Sequence, residues 1–351
     1  MLDRGEAVRK LALNLARYTG LAPLARPLVG GVGAILMLHK VTAKPGRPDS
    51  VNRHLSIEPA FLDRLIQEMK DDGYRFVTLC EAVAAIGSRG RQRFAAVTAD
   101  DGYRDNLREA LPVLERHGVP VTIYVAPALV DGTAFLWWEV IEEIAQRNTR
   151  IRVETAAGPV DLDASTSARK YLANSWLHDY FAATVSEADR HHVLAALAAA
   201  HGVDPDASRR ATLMNWDEIG EAVSHPLVTI GAHTVNHFNL RRLDEATALD
   251  EMVRSADIIE QRLGSRPRHL AYPYGYSAAV GSREVALAAR AGFVSAVTTR
   301  HGVLQAGHAG HAHALPRISV NGRYQRVAHV RTMLSGVTTP LVNAGKVLVT
   351  V

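Results

Sequence analysis

The chain has 351 residues, 47% hydrophobic and 22% charged, the profile of a globular protein with enough apolar material for one large domain or two smaller ones. Its formal charge of +4 is thinly spread, with no Lys/Arg block and no interleaved aromatics, which argues against nucleic-acid binding. The single cysteine, Cys80, excludes an internal disulfide and, with no cationic neighbour in sequence, reads as a small buried residue.

Residues 1–33 are expected to form a basic N-terminal segment. Arg9, Lys10, Arg17 and Arg26 interrupt its apolar positions, whereas a secretory signal needs an unbroken apolar stretch. The pattern predicts an amphipathic helix packed on the domain, with peripheral contact to an anionic membrane surface as the second reading. The expected location is therefore cytoplasmic, at most membrane-associated. The run Leu28–Leu38 is too short to span a bilayer and leads into a buried strand.

Short apolar runs then alternate with longer helical patterns. Strands are predicted at Ala34–Leu38, Phe76–Leu79, Ala95–Ala99, Val119–Ala126, Leu227–Gly231, His269–Tyr272, Phe293–Thr298 and Leu315–Val320. Helices are predicted over 58–71, 105–117, 138–147, 168–182, 187–200, 216–224, 244–263 and 282–291. This rhythm means parallel strands joined by crossover helices, and about eight strands favour an irregular (β/α) barrel over an open sheet. The barrel is expected over 34–325. An insertion at 127–215 carries helices and a small hairpin (Ile151–Val153 and Val160–Leu162), and 326–351 forms a tail. Gly302–Ala314, with its several histidines, reads as a mobile solvated loop.

Chemistry is expected at the strand ends. Asp100 and Asp101 follow the run Phe94–Val97 and precede Gly102; ionised carboxylates drawn toward low dielectric need a cation, a proton or hydrogen-bond donors. A solvated Asp-Asp-Gly turn is the bland alternative. His233 and His237 follow the strand Leu227–Gly231 at i, i+4, which on a helical turn puts both imidazoles on one face. His39 and Tyr272-Pro273-Tyr274-Gly275 also follow strands. In a parallel barrel these ends open on one face, so one Asp and two His can hold a metal ion with a position left for water, while the second Asp stays free as a base.

These residues resemble the motifs of the polysaccharide deacetylase family, also called the NodB-homology or carbohydrate esterase family 4 group. Thr98-Ala99-Asp100-Asp101-Gly102 is similar to its first motif, His233-Thr234-Val235-Asn236-His237 to its second and Tyr272-Pro273-Tyr274-Gly275 to its third. The resemblance covers roughly 34–320 and implies a NodB-type barrel. It further implies a metal held by Asp101, His233 and His237, with Asp100 as catalytic base and the Tyr274 N–H in the oxyanion site. The family's late Leu-x-x-His element is absent, but Leu36-Met37-Leu38-His39 is similar to its counterpart in exopolysaccharide deacetylases with permuted strand order. The resemblance thus assigns the general acid to His39, with a merely structural strand-end histidine as the alternative. Ala99 stands where a Phe is usual, and Ala271 where an Arg usually pairs with the base; Arg317 is a candidate substitute or an ordinary structural arginine.

The implied reaction is removal of N-acetyl groups from an amino-sugar glycan, aided by Zn2+, with Co2+, Ni2+ or Fe2+ also fitting the ligand set. Tyr103, Tyr272, Pro273, Trp137 and Trp138 are candidate substrate contacts, though a Trp pair beside a helix is more often core. Deacylation or deformylation of a lipid-linked sugar, or hydrolysis of a ureide, stays open on the same scaffold, and a non-catalytic carbohydrate-binding relative is disfavoured by the intact acids and histidines. Gly30-Gly31-Val32-Gly33 precedes a strand, where a phosphate loop would follow one. No Gly-x-Ser-x-Gly element supports a serine hydrolase.

Overall fold

The computed structural model describes residues 13–14, 26–44, 47, 50–88 and 92–351. Most of the predicted basic helix over 1–27 lies outside them. Eight strands form the main sheet, and we number them β1 (Gly33–Leu38), β2 (Arg75–Phe76), β3 (Phe94–Ala99), β4 (Val121–Val125), β5 (Val228–Ala232), β6 (His269–Ala271), β7 (Ser295–His301) and β8 (Leu315–Ser319). All pairings are parallel. Around the sheet the order is β1, β8, β7, β6, β5, β4, β3, and β1 pairs β3 along its whole length, so seven strands close a barrel while β2 adds to β3 from outside. This is the irregular (β/α) barrel of NodB type that the sequence predicts.

The strands read as continuous apolar runs because both faces are buried. Outward residues such as Leu36, Leu38, Val97, Ile123 and Ile230 pack on the crossover helices, among them Pro59–Asp71, Leu111–His117, Trp216–Ser224, Glu245–Leu263 and Ser282–Arg290. A smaller inner cluster, with Ile35, Ala96, Tyr124, Ala271, Val297 and Leu315, fills the lumen. The segment between β4 and β5 builds a third cluster of its own around Trp137, Ile141, Ile151, Leu177, Phe181 and Leu194, including the hairpin Arg150–Thr155 and Gly158–Asp163.

Several local expectations change. The strand predicted at Phe76–Leu79 stops at Phe76, because Thr78 and Glu81 form a capping box that starts the helix Leu79–Ala85. Asn106–Ala110 forms one widened π-turn before the helix Leu111–His117, in which Pro112 withdraws a donor. Gly302–Ala314 is only partly solvated: 306–307 and 309–311 are exposed, but His308 is buried with its Nε2 2.9 Å from the Val349 carbonyl, and His313 Nε2 lies 2.7 Å from that of Phe293. Residues 326–351 carry the helices Val327–Leu334 and Thr338–Val342, and Val330 joins the outer core. Cys80 is half-buried, with its Sγ 3.0 Å from His269 Nε2. No helix among the described residues is long and apolar enough to cross a membrane.

Inner packing is tight at Gly231 of β5, where a Cβ would overlap the Tyr124 ring; at Gly220, inside the helix Trp216–Ser224, it would meet nothing within 4 Å. Gly231→Ala is expected to cost about 1–3 kcal/mol by overpacking, whereas Gly220→Ala is neutral or stabilising by up to ~1 kcal/mol. Urea unfolding of the two variants checks this, and equal midpoints would contradict the packed lumen.

Candidate functional site

Asp100 and Asp101 end β3 at the mouth of the barrel, and both are buried. Asp101 adopts φ 71, so consecutive residues send their carboxylates to different partners. Asp100 is met from the lumen by Arg317 of β8, itself 1% exposed. The guanidinium donates to both carboxylate oxygens at 2.7 Å, and further to Thr98 Oγ1 at 3.1 Å and the Thr298 carbonyl at 2.9 Å. Burial pushes the Asp100 carboxyl up, but the charge and hydrogen bonds of Arg317 outweigh it and hold it below the usual range. On its other side, His39 Nε2 lies 4.0 Å from Asp100 Oδ2.

Asp101 Oδ1 lies 3.5 Å from His233 Nε2 and 3.3 Å from His237 Nε2. Burial opposes its ionisation, and the two imidazoles overcome that and hold its carboxyl well below the usual range. His233 Nδ1 sits 2.7 Å from the Ala271 carbonyl, which fixes the tautomer and leaves Nε2 as the free lone pair. The loop differs from the predicted helical turn: residues 233–239 are irregular, with Thr234 at φ 60 and His237 at φ 55, and these left-handed steps bring the ring centroids to 4.8 Å. Glu251, on the helix Glu245–Leu263, accepts the N–H groups of Val235 and Asn236 at 3.0 and 2.9 Å and pins the loop. Among the described residues five non-glycines have positive φ, and four of them (Asp101, Thr234, His237 and Tyr274) fall in these motifs. Strain of ~1–3 kcal/mol apiece gathers where backbone must be re-aimed.

The donor set fits a divalent ion. Its three ligand atoms lie within 4.8 Å of one another, all buried. Ligands about 2.0–2.1 Å from a tetrahedral ion stand about 3.3–3.4 Å apart, close to the 3.5 and 3.3 Å that separate Asp101 Oδ1 from the two imidazole nitrogens.

A cleft of about 160 Å3 opens over this cluster. Of the residues expected from the sequence, His39, Asp100, Asp101, His233, His237, Tyr274, Trp137 and Trp138 line it. Trp138 stacks obliquely on His237 at 5.0 Å between centroids, and both indoles are also core residues of the insertion. Arg317 lies beneath, not in the cleft wall. Tyr103 and Tyr272, expected to touch substrate, do not line the cleft: Tyr103 is buried and takes the Trp138 Nε1–H at 3.1 Å, and Tyr272 donates from its hydroxyl to the His313 carbonyl at 2.8 Å. Pro273 is likewise buried and outside the cleft lining. Strand-end position does not fix which way a ring turns. Sequence reading also missed Asn52, His54, Leu55, His178 and Thr299, which complete the walls and carry no motif. Burial pushes His54 down to about 4, so it is neutral in ordinary buffers.

The structure accords with the comparisons. The family model for polysaccharide deacetylase matches residues 87–294, more than half of the chain, and the chain belongs to the polysaccharide deacetylase family. That family comprises hydrolases of carbon–nitrogen bonds in acetylated sugars. YxkH of Bacillus subtilis (strain 168), a protein named for the same family, is 26% identical over 123 residues, which span 34% of this chain and 41% of that protein. Among solved structures, the Streptococcus pyogenes deacetylase PplD aligns at 19% identity and TM-score 0.53, over 82% of this chain and 92% of that one. IcaB from Ammonifex degensii aligns at 19% identity and TM-score 0.51, over 86% and 97%. At these identities the structural likeness establishes the fold.

Two predictions follow from the site's charges. Arg317→Met leaves Asp100 buried without its counter-charge and should lower stability by roughly 3–5 kcal/mol in urea unfolding; a loss under about 1 kcal/mol would mean that the pair is solvated. Asp105 accepts the Val41 N–H at 3.1 Å, and burial pushes its carboxyl from 3.8 up to about 7. The raised folded value means that the unfolded chain ionises first, so stability falls as pH rises from about 4 to about 7. Asp105→Asn keeps the acceptor and removes this term. Relative to wild type, the variant should gain roughly 2–4 kcal/mol across that window, at about 1.4 kcal/mol per unit. Parallel stability curves for the two proteins would refute it.

Proposed function

We propose that this protein removes N-acetyl groups from an amino-sugar-containing polysaccharide or oligosaccharide and that it does so with a divalent metal. The observation that carries the reading is the position of Asp100: ionised by Arg317, beside the Asp101, His233 and His237 cluster, with His39 across from it. We assign the metal to Asp101, His233 and His237, with Zn2+ as the first candidate and Co2+, Ni2+ or Fe2+ compatible with one carboxylate and two imidazoles. Bound there, the ion supplies Lewis acidity toward the amide carbonyl and lowers the pKa of a water.

The chain's own groups then do the following. Asp100 accepts the proton of the attacking water; each of its oxygens spends one lone pair on Arg317 and keeps another. Arg317 keeps that carboxylate ionised and oriented. The Tyr274 N–H, for which no described residue offers an acceptor, is the donor we assign to the developing oxyanion. The peptide that carries this N–H is held through its Pro273 carbonyl, which accepts the Gly275 N–H at 2.7 Å, and the following peptide by the Thr299 hydroxyl, which donates to the Tyr274 carbonyl at 2.6 Å. Protonated His39 delivers a proton to the departing amine, an otherwise poor leaving group. Its loop is held by Asn106 Nδ2, which donates to the His39 carbonyl at 2.9 Å. The small uncovered parts of Trp137 and Trp138, 3% and 9% exposed, give the cleft an apolar edge that we assign to a sugar ring.

Metal analysis of the purified protein, followed by chelation and return of single ions, tests the metal. Acetate release from N-acetylglucosamine oligomers, set against lipid-linked amino sugars and ureides, tests the substrate. Asp100→Asn should retain the metal and lose about 10²–10⁴-fold in turnover. Near-full activity of that variant, or of the chelated protein, would overturn the mechanism, and faster turnover of a ureide would replace the substrate.

A further inference from the structure

We infer that the buried pair Glu187–Arg190, contributed by the insertion, is the positioning device that holds the His237 and Tyr274 loops in the left-handed backbone of the candidate metal site. The inference builds on the metal assignment above. Arg190 donates as a fork to both oxygens of Glu187 at 2.6 Å. The same guanidinium reaches the Tyr274 hydroxyl at 3.1 Å and the Phe181 carbonyl at 3.3 Å, and lies 5.5 Å from the Trp137 ring centroid. Glu187 in turn accepts the N–H of Asn239, two residues past His237, at 3.0 Å, and Nη1 of Arg242 at 3.1 Å.

Two of these contacts bear on strained loops. Tyr274, at φ 64, has its hydroxyl clamped by Arg190 and by Trp137 Nε1, which donates at 2.9 Å. Its ring then stands edge-on against the His237 ring, centroids 5.1 Å apart. His237, at φ 55, is held from the chain side through Asn239 and Glu187. The Nδ1 of His237 is buried and has no hydrogen-bond partner, so beyond the Nε2 contact with Asp101 at 3.3 Å the ring is oriented by packing and by the loop. Glu251 restrains Val235 and Asn236 on the near side, and Glu187 completes the restraint on the far side. Beyond its bonds to the Phe181 carbonyl and to Arg242, the pair thus reaches both motif loops at once, the Tyr274 hydroxyl through Arg190 and the Asn239 N–H through Glu187.

The test uses the full chain with Glu187→Gln, Arg190→Met and Arg190→Lys, and Leu177→Ala as a control that loosens the insertion core elsewhere. Deuterium uptake without added metal is followed over residues 233–240 and 272–276, and Zn2+ alone is titrated by calorimetry. E187Q and R190M should raise uptake in both segments and weaken Zn2+ binding by about 10–100-fold, the usual cost of losing an outer support of a metal ligand. R190K, which keeps the charge without the planar fork, should fall between and carries the test should the other two not fold. L177A should lower the melting temperature and leave both readouts at wild-type values. Unchanged uptake in E187Q and R190M, or an equal change in L177A, overturns the inference. A wild-type protein that takes up no Zn2+ would sink the metal assignment, while deuterium uptake would still decide the positioning role.

Discussion

Two ionised carboxylates on consecutive residues, both out of water, can exist in this barrel only because their partners arrive from different directions. Arg317 rises through the lumen to Asp100, and the imidazoles of His233 and His237 come to Asp101 from the loop after β5. A charge pair about 4 Å apart gains ~4 kcal/mol at the effective dielectric of a protein, against a desolvation cost of similar size. Neither acid could be left to the other's partner. Adjacent residues in unlike surroundings are thereby given unlike tasks: one is held ionised by a fixed organic cation, the other is left facing two neutral-capable nitrogens with room for an ion.

That division is built on backbone that few side chains adopt willingly. Asp101, Thr234, His237 and Tyr274 are left-handed, and none of the loops carrying them is long enough to bury an apolar stripe of its own. Their fastening comes from outside: Glu251 from a crossover helix, Thr299 from the end of β7, and Glu187 with Arg190 from the insertion. The insertion therefore does more than shape a cleft wall. Its folding and the order of the motif loops are coupled through buried bonds, which ties substrate-facing surface to chemistry-bearing backbone.

The barrel was legible because its information is local. Each strand is a short apolar run between helical patterns, and the polar residue that follows each run marks the open end. Asp100, Asp101, His233 and His237 could be placed at one mouth from that alone. What escaped depends on contacts between distant residues. The His-x3-His spacing suggested a helix, yet the rings meet across two left-handed residues that spacing cannot encode. Tyr103 and Tyr272 follow strands like the other candidates, but their rings turn inward to bond Trp138 and His313. Asn52, His54 and His178 reach the cleft from segments with no motif. His308 and His313 read as solvated because their acceptors, the carbonyls of Val349 and Phe293, lie tens of residues away, whereas His311 is exposed as expected.

Arg317 turns one departure from the family pattern, Ala271, into a packing solution, while the other, Ala99, packs in the outer core. Ala271, where an arginine is usual, points into the lumen beside Ala96 and Tyr124, and its carbonyl serves His233. A lumen of fixed volume cannot hold two long cationic side chains together with Tyr124. Small residues at 96 and 271 leave the space through which Arg317 extends, its guanidinium carbon 6.0 Å from the Tyr124 ring centroid and its remaining donors met by Thr98 and Thr298. From β8 the cation needs to pass only β1 to reach the end of β3, whereas from β6 it would cross the other side of the barrel by way of β5 and β4. The guanidinium thus approaches Asp100 from below and leaves the face toward the cleft to water and to His39, which is the geometry a proton acceptor requires.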